Sequence, residues 1–285
     1  MIVHPARFGR ETATRERAVA DHRWTLRTKK KMSVAQRRQN LLNHIVQVGS
    51  APVDDLAALF EVSRMTVHRD LDALAEQGIV RKVHGGVTVH PSNLVESNLH
   101  YRSQVRAKEK RALARAATEC IEAGQAIIID DSTTAAALTE FLAHLKPLTV
   151  ITNSLGVVER LKDVYGIKTI CLGGDYNPKF NAFFGLLCES AVASLRANTL
   201  FMSTSAVIGN ALYHQEEEVV KTKRALMASV ERRVLLVDSK KFGITALNRV
   251  ADLADFDLVL TDEGLDARTS AALREAKINL RVVSL

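Results

Sequence analysis

Between Arg37 and Val89 the apolar residues fall at helical spacing three times over and then switch to alternation around a Gly-Gly pair. Few folds accept that order. Leu41, Leu42, Ile45 and Val46 predict a first helix that buries one stripe. Val53, Leu56, Ala57 and Phe60 do the same for a short second helix. Glu61-Val62-Ser63 is long enough only for a turn, and Ser63 is placed to cap a third helix by accepting a bond from a free backbone N–H. In that helix Val67, Leu71 and Leu74 face inward, which leaves Arg64, Thr66, His68 and Arg69 pointing outward from its first turns. Gly78 suits a helix stop. From Ile79 to His90 the pattern alternates around Gly85-Gly86, a hairpin signal.

Helix, helix, tight turn, helix and basic hairpin is the order of a winged helix-turn-helix. Such a unit presents the first turns of its third helix to the DNA major groove. Arg64, Thr66, His68 and Arg69 are therefore expected to meet double-stranded DNA, with Arg81, Lys82 and His84 of the wing on phosphates. The plainer reading is a small helical bundle with a solvated charged face. It explains neither the short turn nor the outward cluster followed by a basic hairpin.

The chain is formally +7, but the charge is unevenly placed. Residues 1–31 hold nine Lys or Arg against three acids, whereas residues 33–90 hold six of each. The head is close to neutral, so its affinity for DNA has to come from where the bases sit. Residues 1–32 read as a disordered basic arm without an apolar run long enough for a signal or a membrane span. Two readings of the arm stay open: it adds nonspecific phosphate contacts, or translation starts at Met32 and the arm is not made.

At 285 residues and 47% hydrophobic content, the chain suits one small head and one larger core-bearing domain. Cys120, Cys171 and Cys188 are widely separated, which predicts reduced, inert thiols in the cytoplasm. The nine histidines form no cluster with them, and neither metal nor cofactor is expected. Residues 91–107, opening on Pro91-Ser92-Asn93, read as a polar linker after a DNA-binding domain at 33–90.

Residues 108–285 change character. An amphipathic helix from Ala112 to Ile121 leads through Gly124 to the wholly apolar run Ala126–Ile129. Similar runs follow at 148–152, 169–172, 199–202, 234–237, 258–260 and 280–283. Helical patterns lie between most of them, near 134–144, 154–162, 186–195, 216–230 and 266–276. Apolar strands alternating with helices predict a parallel α/β sheet covered on both faces, Rossmann-like in architecture.

Such sheets bind ligands where strands end and helices begin. Here the ends are polar: Asp130-Asp131-Ser132-Thr133-Thr134, Thr152-Asn153-Ser154, Gly173-Gly174-Asp175 and Asp238-Ser239-Lys240-Lys241-Phe242. Hydroxyls beside free N–H groups suit a phosphate, and glycines let backbone approach a ligand. Each alone has an ordinary explanation, as a helix cap, a turn or a solvated charge; their conjunction points to a binding crevice.

The head motif Val62-Ser63-Arg64-Met65-Thr66-Val67-His68-Arg69-Asp70-Leu71, with Leu74, Gly78 and Val83-His84-Gly85-Gly86-Val87, resembles the DeoR family of bacterial transcriptional regulators. The resemblance extends from about Met32 onward through Glu109-Lys110, Asp130 to Thr134, Ile151-Thr152-Asn153, Gly173-Gly174, Gly185, Lys223-Arg224-Ala225-Leu226 and Asp238 to Phe242. It implies a second domain similar in fold to ribose-5-phosphate isomerase that binds phosphorylated sugars. On that resemblance Lys241 rather than Lys240 matches the family lysine. Three departures stand out. His68 sits where the family carries an arginine, Ser132 replaces a glycine, and Ser203 to Tyr213 is poorer in Gly and Asp than the family form.

The expectation is a cytoplasmic DNA-binding regulator, a repressor of carbohydrate catabolism, acting as a dimer or tetramer and released by a phosphorylated sugar. Ser132, Thr133 and Thr134 would hold phosphate and Lys223 or Lys241 would add charge. Asp130, Asn153 and Asp238 would read hydroxyls, with Thr152, Gly173 and Gly174 completing the crevice. Two alternatives are a sugar-phosphate isomerase with a fused DNA head, using Asp130, Asp238 or Glu218 as base, and an architectural DNA-binding protein whose core only oligomerises.

Overall fold

A computed structural model describes residues 33–76, 80–89 and 99–285. The expected basic arm, the helix stop at Gly78 and the break at Pro91-Ser92-Asn93 lie outside the described residues, as does the side chain of Val46.

The head comprises α1 (Val34–Val48), β1 (Ser50–Pro52), α2 (Val53–Leu59), α3 (Arg64–Glu76), β2 (Val80–Val83) and β3 (Gly86–Val89). Ser33 caps α1 by accepting from the Gln36 amide at 3.1 Å. Leu41, Leu42 and Ile45 pack against Val53, Leu56, Val67, Leu71 and Leu74 in one core that also takes in Val80 and Val87. The wing has a third strand that alternation did not announce, because β1 pairs antiparallel with β3. Gly86 makes that pairing possible: a Cβ there would lie 2.8 Å from the Ala51 carbonyl oxygen.

The larger unit comprises α4 (Leu99–Gln104), α5 (Ala107–Ala117), β4 (Ala126–Ile129), α6 (Thr133–Ala136), β5 (Leu148–Thr152), α7 (Leu155–Leu161), β6 (Ile167–Cys171), β7 (Asp175–Asn177) and β8 (Ala182–Phe184). It continues through α8 (Gly185–Ala193), β9 (Ala197–Met202), β10 (Ala206–Ile208), β11 (Ala211–His214), α9 (Glu217–Ala228), β12 (Val230–Leu236), β13 (Asn248–Asp252), β14 (Leu258–Asp262), α10 (Ala267–Glu275) and β15 (Leu280–Val283). All seven apolar runs become strands of one parallel sheet in the order β15-β14-β12-β9-β4-β5-β6. Strand order reverses between β4 and β9, so the switch point where such sheets open a crevice lies at their carboxyl ends.

Both faces of the central strands are covered, which is why these read as apolar runs. Ile127 and Ile129 join Leu113, Val157 and Leu161 on one face, while Ile128 joins Cys188, Val192 and Leu226 on the other. Three expectations need adjustment. The helix near 134–144 is one α-turn followed by two 3-10 turns, Ala137–Glu140 and Leu142–His144. The five strands β7, β8, β10, β11 and β13 were not expected; they form two small antiparallel sheets over the larger one. Part of the expected irregular linker is helical: α4 is short, and tertiary contacts rather than propensity hold it. Lys110 donates to the Arg102 carbonyl oxygen, and the Arg102 guanidinium lies 5.2 Å from the Phe180 ring centre.

All three cysteines are free thiols. Burial pushes the Cys188 thiol up to about 12, and Glu189, Asp131 and Cys171 add to the effect. No helix of the described residues is long and apolar enough to cross a membrane.

Candidate functional site

On the head, the start of α3 is fixed by Ser63, whose hydroxyl accepts from the Thr66 amide at 3.2 Å and lies 2.9 Å from the Thr66 hydroxyl. Arg64 turns back to Asp54 of α2 at 2.7 Å. Of the four residues expected to face DNA, two are thus engaged within the head, and His68 and Arg69 have no polar partner among the described residues. Arg81 and His84 are exposed on the wing, while Lys82 is tied to Asp72 of α3 at 2.5 Å. Behind this face Asp70 accepts from Arg37 at 2.6 Å and Arg38 at 2.9 Å. Burial pushes its carboxyl up, and the two guanidiniums outweigh that and hold it below the ordinary range.

In the larger unit the strand ends sort into an enclosed floor and an open wall. Asp130, at the end of β4, accepts from Lys223 of α9, from the Ser203 amide at 3.1 Å and from the amide and hydroxyl of Ser132. Lys223 is 2% exposed and also stands 3.5 Å from Asp131. Burial alone would lower its pKa; Asp130 and Asp131 outweigh burial and hold it above the ordinary lysine value. Asp130 and Lys223 therefore neutralise each other beneath the switch point, and neither faces open space. Asp130 and Lys223, expected to read a sugar hydroxyl and to lend charge, are here engaged with each other.

Ser132 caps α6 by accepting from the Ala135 amide at 3.2 Å, and Thr134 is buried behind it. Thr152 accepts from the Ser154 amide at 3.0 Å, closing a tight turn. Asn153 donates to the Phe183 carbonyl at 3.1 Å and so pins β8. Gly174 is demanded by the chain itself, since at φ +142 a Cβ would sit 2.3 Å from the Phe184 carbonyl oxygen. Gly173 is open. Asp238 is buried 3.1 Å from Arg106 and accepts from the Lys240 amide.

Beside this floor is a cavity of about 320 Å³, lined by Leu99 and Ser103 of α4, Lys110 of α5, Asp131, Thr133, Ser154, Asn181 and neighbours. Of the residues expected to bind an effector, Thr133 lines this cavity. Lys110 stands 3.1 Å from the Thr133 hydroxyl and is only 6% exposed. Burial lowers its pKa to about 7, with the positive charges of Lys241 and Arg102 adding to the fall and Asp238 and Glu109 opposing it. Lys241 is half-buried without an ion pair among the described residues, whereas Lys240 is exposed. Two buried acceptors at these strand ends, Asp131 Oδ1 and Asn153 Oδ1, make no hydrogen bond. The arrangement is a partly enclosed pocket walled by a cation, a hydroxyl and the Asp131 carboxylate, which suits a small polyhydroxylated anion.

The sequence reading passed over Lys110, Asp131, Arg102, Arg106 and Asp262 as site residues. Arg106 caps α5 at φ 53 and joins Asp262 at 2.8 Å, Ser239 at 3.2 Å and Asp238, tying the ends of β12 and β14 to the start of the unit. For Lys110 a signal existed: it shares the spacing of Leu113, Ala114 and Ala117 on the buried stripe of α5.

The carboxylates considered as isomerase bases are all occupied. Asp130 meets Lys223, Asp238 meets Arg106, and Glu218 accepts from Asn177 at 2.6 Å.

The family model for the DeoR C terminal sensor domain matches residues 105–263, and that for the DeoR-like helix-turn-helix domain matches 37–93. An L-fucose operon activator of Haemophilus influenzae is 32% identical over 233 residues, 80% of this chain and 92% of its own. A glycerol-3-phosphate regulon repressor of Escherichia coli (strain K12) is 28% identical over 252 residues, 88% of this chain and all 100% of its own. A solved D-ribose-5-phosphate isomerase aligns at a TM-score of 0.35 and 14% identity over 48% of this chain and 54% of its own, a likeness too slight to bear on ligand or mechanism. The named relatives are regulators rather than enzymes, and this chain belongs to the DeoR family of DNA-binding transcriptional regulators.

Proposed function

We propose that this regulator represses a carbohydrate-catabolism operon in the cytoplasm and is released from DNA by a phosphorylated sugar held in the 320 Å³ cavity. The observation that carries the reading is Lys110. A nearly buried lysine with its pKa lowered to about 7 sits against a wall hydroxyl, with the unpaired Lys241 close enough to depress it further. A phosphate there would relieve the repulsion between the two cations. Thr133 would bond the phosphate, and the Asp131 carboxylate on the same wall would accept from a sugar hydroxyl. Asp130 and Lys223 then serve as an internal prop, not as ligands.

On DNA, His68 and Arg69 of α3 would enter the major groove, with Arg81 and His84 on phosphates, as half of a symmetric homo-oligomer on a two-fold operator. For the sugar to release DNA it must favour the DNA-free arrangement, by a coupling typically of about 1–3 kcal/mol.

The test is fluorescence anisotropy at fixed salt. The probe is duplex DNA from upstream of the protein's own gene, titrated with a panel of phosphorylated sugars. Release by one compound at micromolar concentration, shifted upward on the order of tenfold in Lys241→Ala with DNA affinity unchanged, is expected. Release at the same concentration would make Lys241 structural, and a complex that no compound alters would reject the sensor reading.

A further inference from the structure

Among the described residues, Met65 is the large apolar side chain most exposed on the head, at 64%. It lies on the first turn of α3, and with His68 and Arg69 it occupies positions i, i+3 and i+4, one face of the helix. Its polar neighbours in sequence are turned away: Arg64 is held by Asp54, and the Thr66 hydroxyl is held by Ser63. Val67, one residue on, is fully buried in the head core. The outward face of the first turn therefore presents a thioether beside His68 and Arg69, and the fold leaves most of Met65 uncovered.

A single exposed apolar side chain on a protein surface is ordinary. Its place here is not, because this turn is the one a helix-turn-helix offers to base edges. In the major groove the feature with no polar readout is the C5-methyl group of thymine, which is read by apolar contact. Methionine is flexible and polarisable enough to follow such a methyl group as the helix seats.

We infer that Met65 is a specificity-determining residue that reads the C5-methyl of one thymine in each half-site. The inference rests on α3 docking in the major groove and goes beyond it, since docking alone requires no apolar contact. It predicts a preference for thymine over cytosine or uracil at one position beside the bases read by Arg69.

The experiment uses the full chain and duplexes enriched by it from a random-sequence pool. Each thymine of the enriched half-site is replaced in turn by deoxyuridine, which removes only the methyl group. One such replacement should weaken binding by the native chain on the order of fourfold, as expected for one buried methyl group. In Met65→Ala that replacement should have no effect, and Met65→Leu should restore the preference. A deoxyuridine penalty that persists unchanged in Met65→Ala, or no penalty at any thymine for the native chain, overturns the inference while leaving docking intact. Enrichment of no sequence at all rejects the docking and the role of Met65 with it.

Discussion

The Arg106 guanidinium bonds the Asp262 carboxylate at 2.8 Å across 156 positions of chain, joining the residue before α5 to the carboxyl end of β14. Burial pushes the Asp262 carboxyl up; donors from the Ser239 amide and hydroxyl, the Gly264 amide and Arg106 outweigh it and leave the pKa below the ordinary range. Arg106→Ala would leave two buried carboxylates, Asp238 and Asp262, without their guanidinium partner. Breaking a buried pair from one side typically costs about 3–5 kcal/mol, and a loss of that size lowers Tm by on the order of 10 °C in a unit this large. Differential scanning calorimetry on the full chain checks it, and an unchanged transition would show that Arg106 holds nothing.

Arg69→Ala should weaken DNA binding by about 1–3 kcal/mol if the side chain meets a base edge. It should leave effector affinity unchanged, because α3 shares no residue with the cavity. His68→Arg should do the opposite, adding a permanent guanidinium charge on the same face of α3. Its mark is a steeper salt dependence, by about one unit of slope per added phosphate contact. Titrations at several salt concentrations separate the two effects.

If the proposed cavity holds a sugar phosphate, Lys110 should make its binding depend on pH in a defined direction. Its pKa in the free protein is about 7, far below an ordinary lysine, and a neighbouring phosphate would raise it. Binding then takes up a proton wherever the free lysine is neutral, which is above pH 7. Affinity for the releasing sugar phosphate should fall by up to tenfold per unit between pH 7 and 9, as linkage requires. Lys110→Arg, charged throughout, should flatten the curve; isothermal titration calorimetry in buffers of different ionisation enthalpy reads the proton directly.

Asp70 predicts acid sensitivity of the head. Its folded pKa lies below the ordinary value of 3.8, so the stability it contributes is complete at neutral pH. That contribution is lost as pH falls from about the ordinary value through the lower folded one. Asp70→Asn should remove about 3 kcal/mol at pH 7, the low end for a buried pair because Arg38 is partly open to water. It should also remove the acid dependence of hydrogen exchange at the α3 amides of the full chain.

What the sequence shows and conceals follows from which forces are local. The central strands of the parallel sheet, β4, β9, β12 and β14, are legible because burial on both faces keeps their apolar runs nearly unbroken, whereas the edge strands β6 and β15 carry exposed polar residues. Strands β7, β8, β10, β11 and β13 have three to five residues each, and their mixed patterns carry no comparable mark. At the site, Thr133 could be found as a hydroxyl at a strand end. Asp130 and Asp131 could not be told apart, because adjacent residues leave a strand on opposite sides and only the location of Lys223 decides which is the prop. Arg102 and Arg106 were hidden for the same reason. Their partners Phe180, Asp238 and Asp262 lie far along the chain, so locally they read as solvated charge in a polar stretch. Lys241 fell between these cases, marked by family resemblance but not by its surroundings.

Helix α4 has a place in the chain that matters beyond its few residues. Leu99 and Ser103 form part of the cavity wall, and the last turn is held through the Arg102 carbonyl by the lysine that would meet a bound anion. Nine residues separate the end of the wing strand β3 from Leu99. The first described residues of the larger unit therefore stand in a wall of the proposed effector cavity. An occupant would touch the very helix from which the chain runs back to the head, with no strand of the sheet between them.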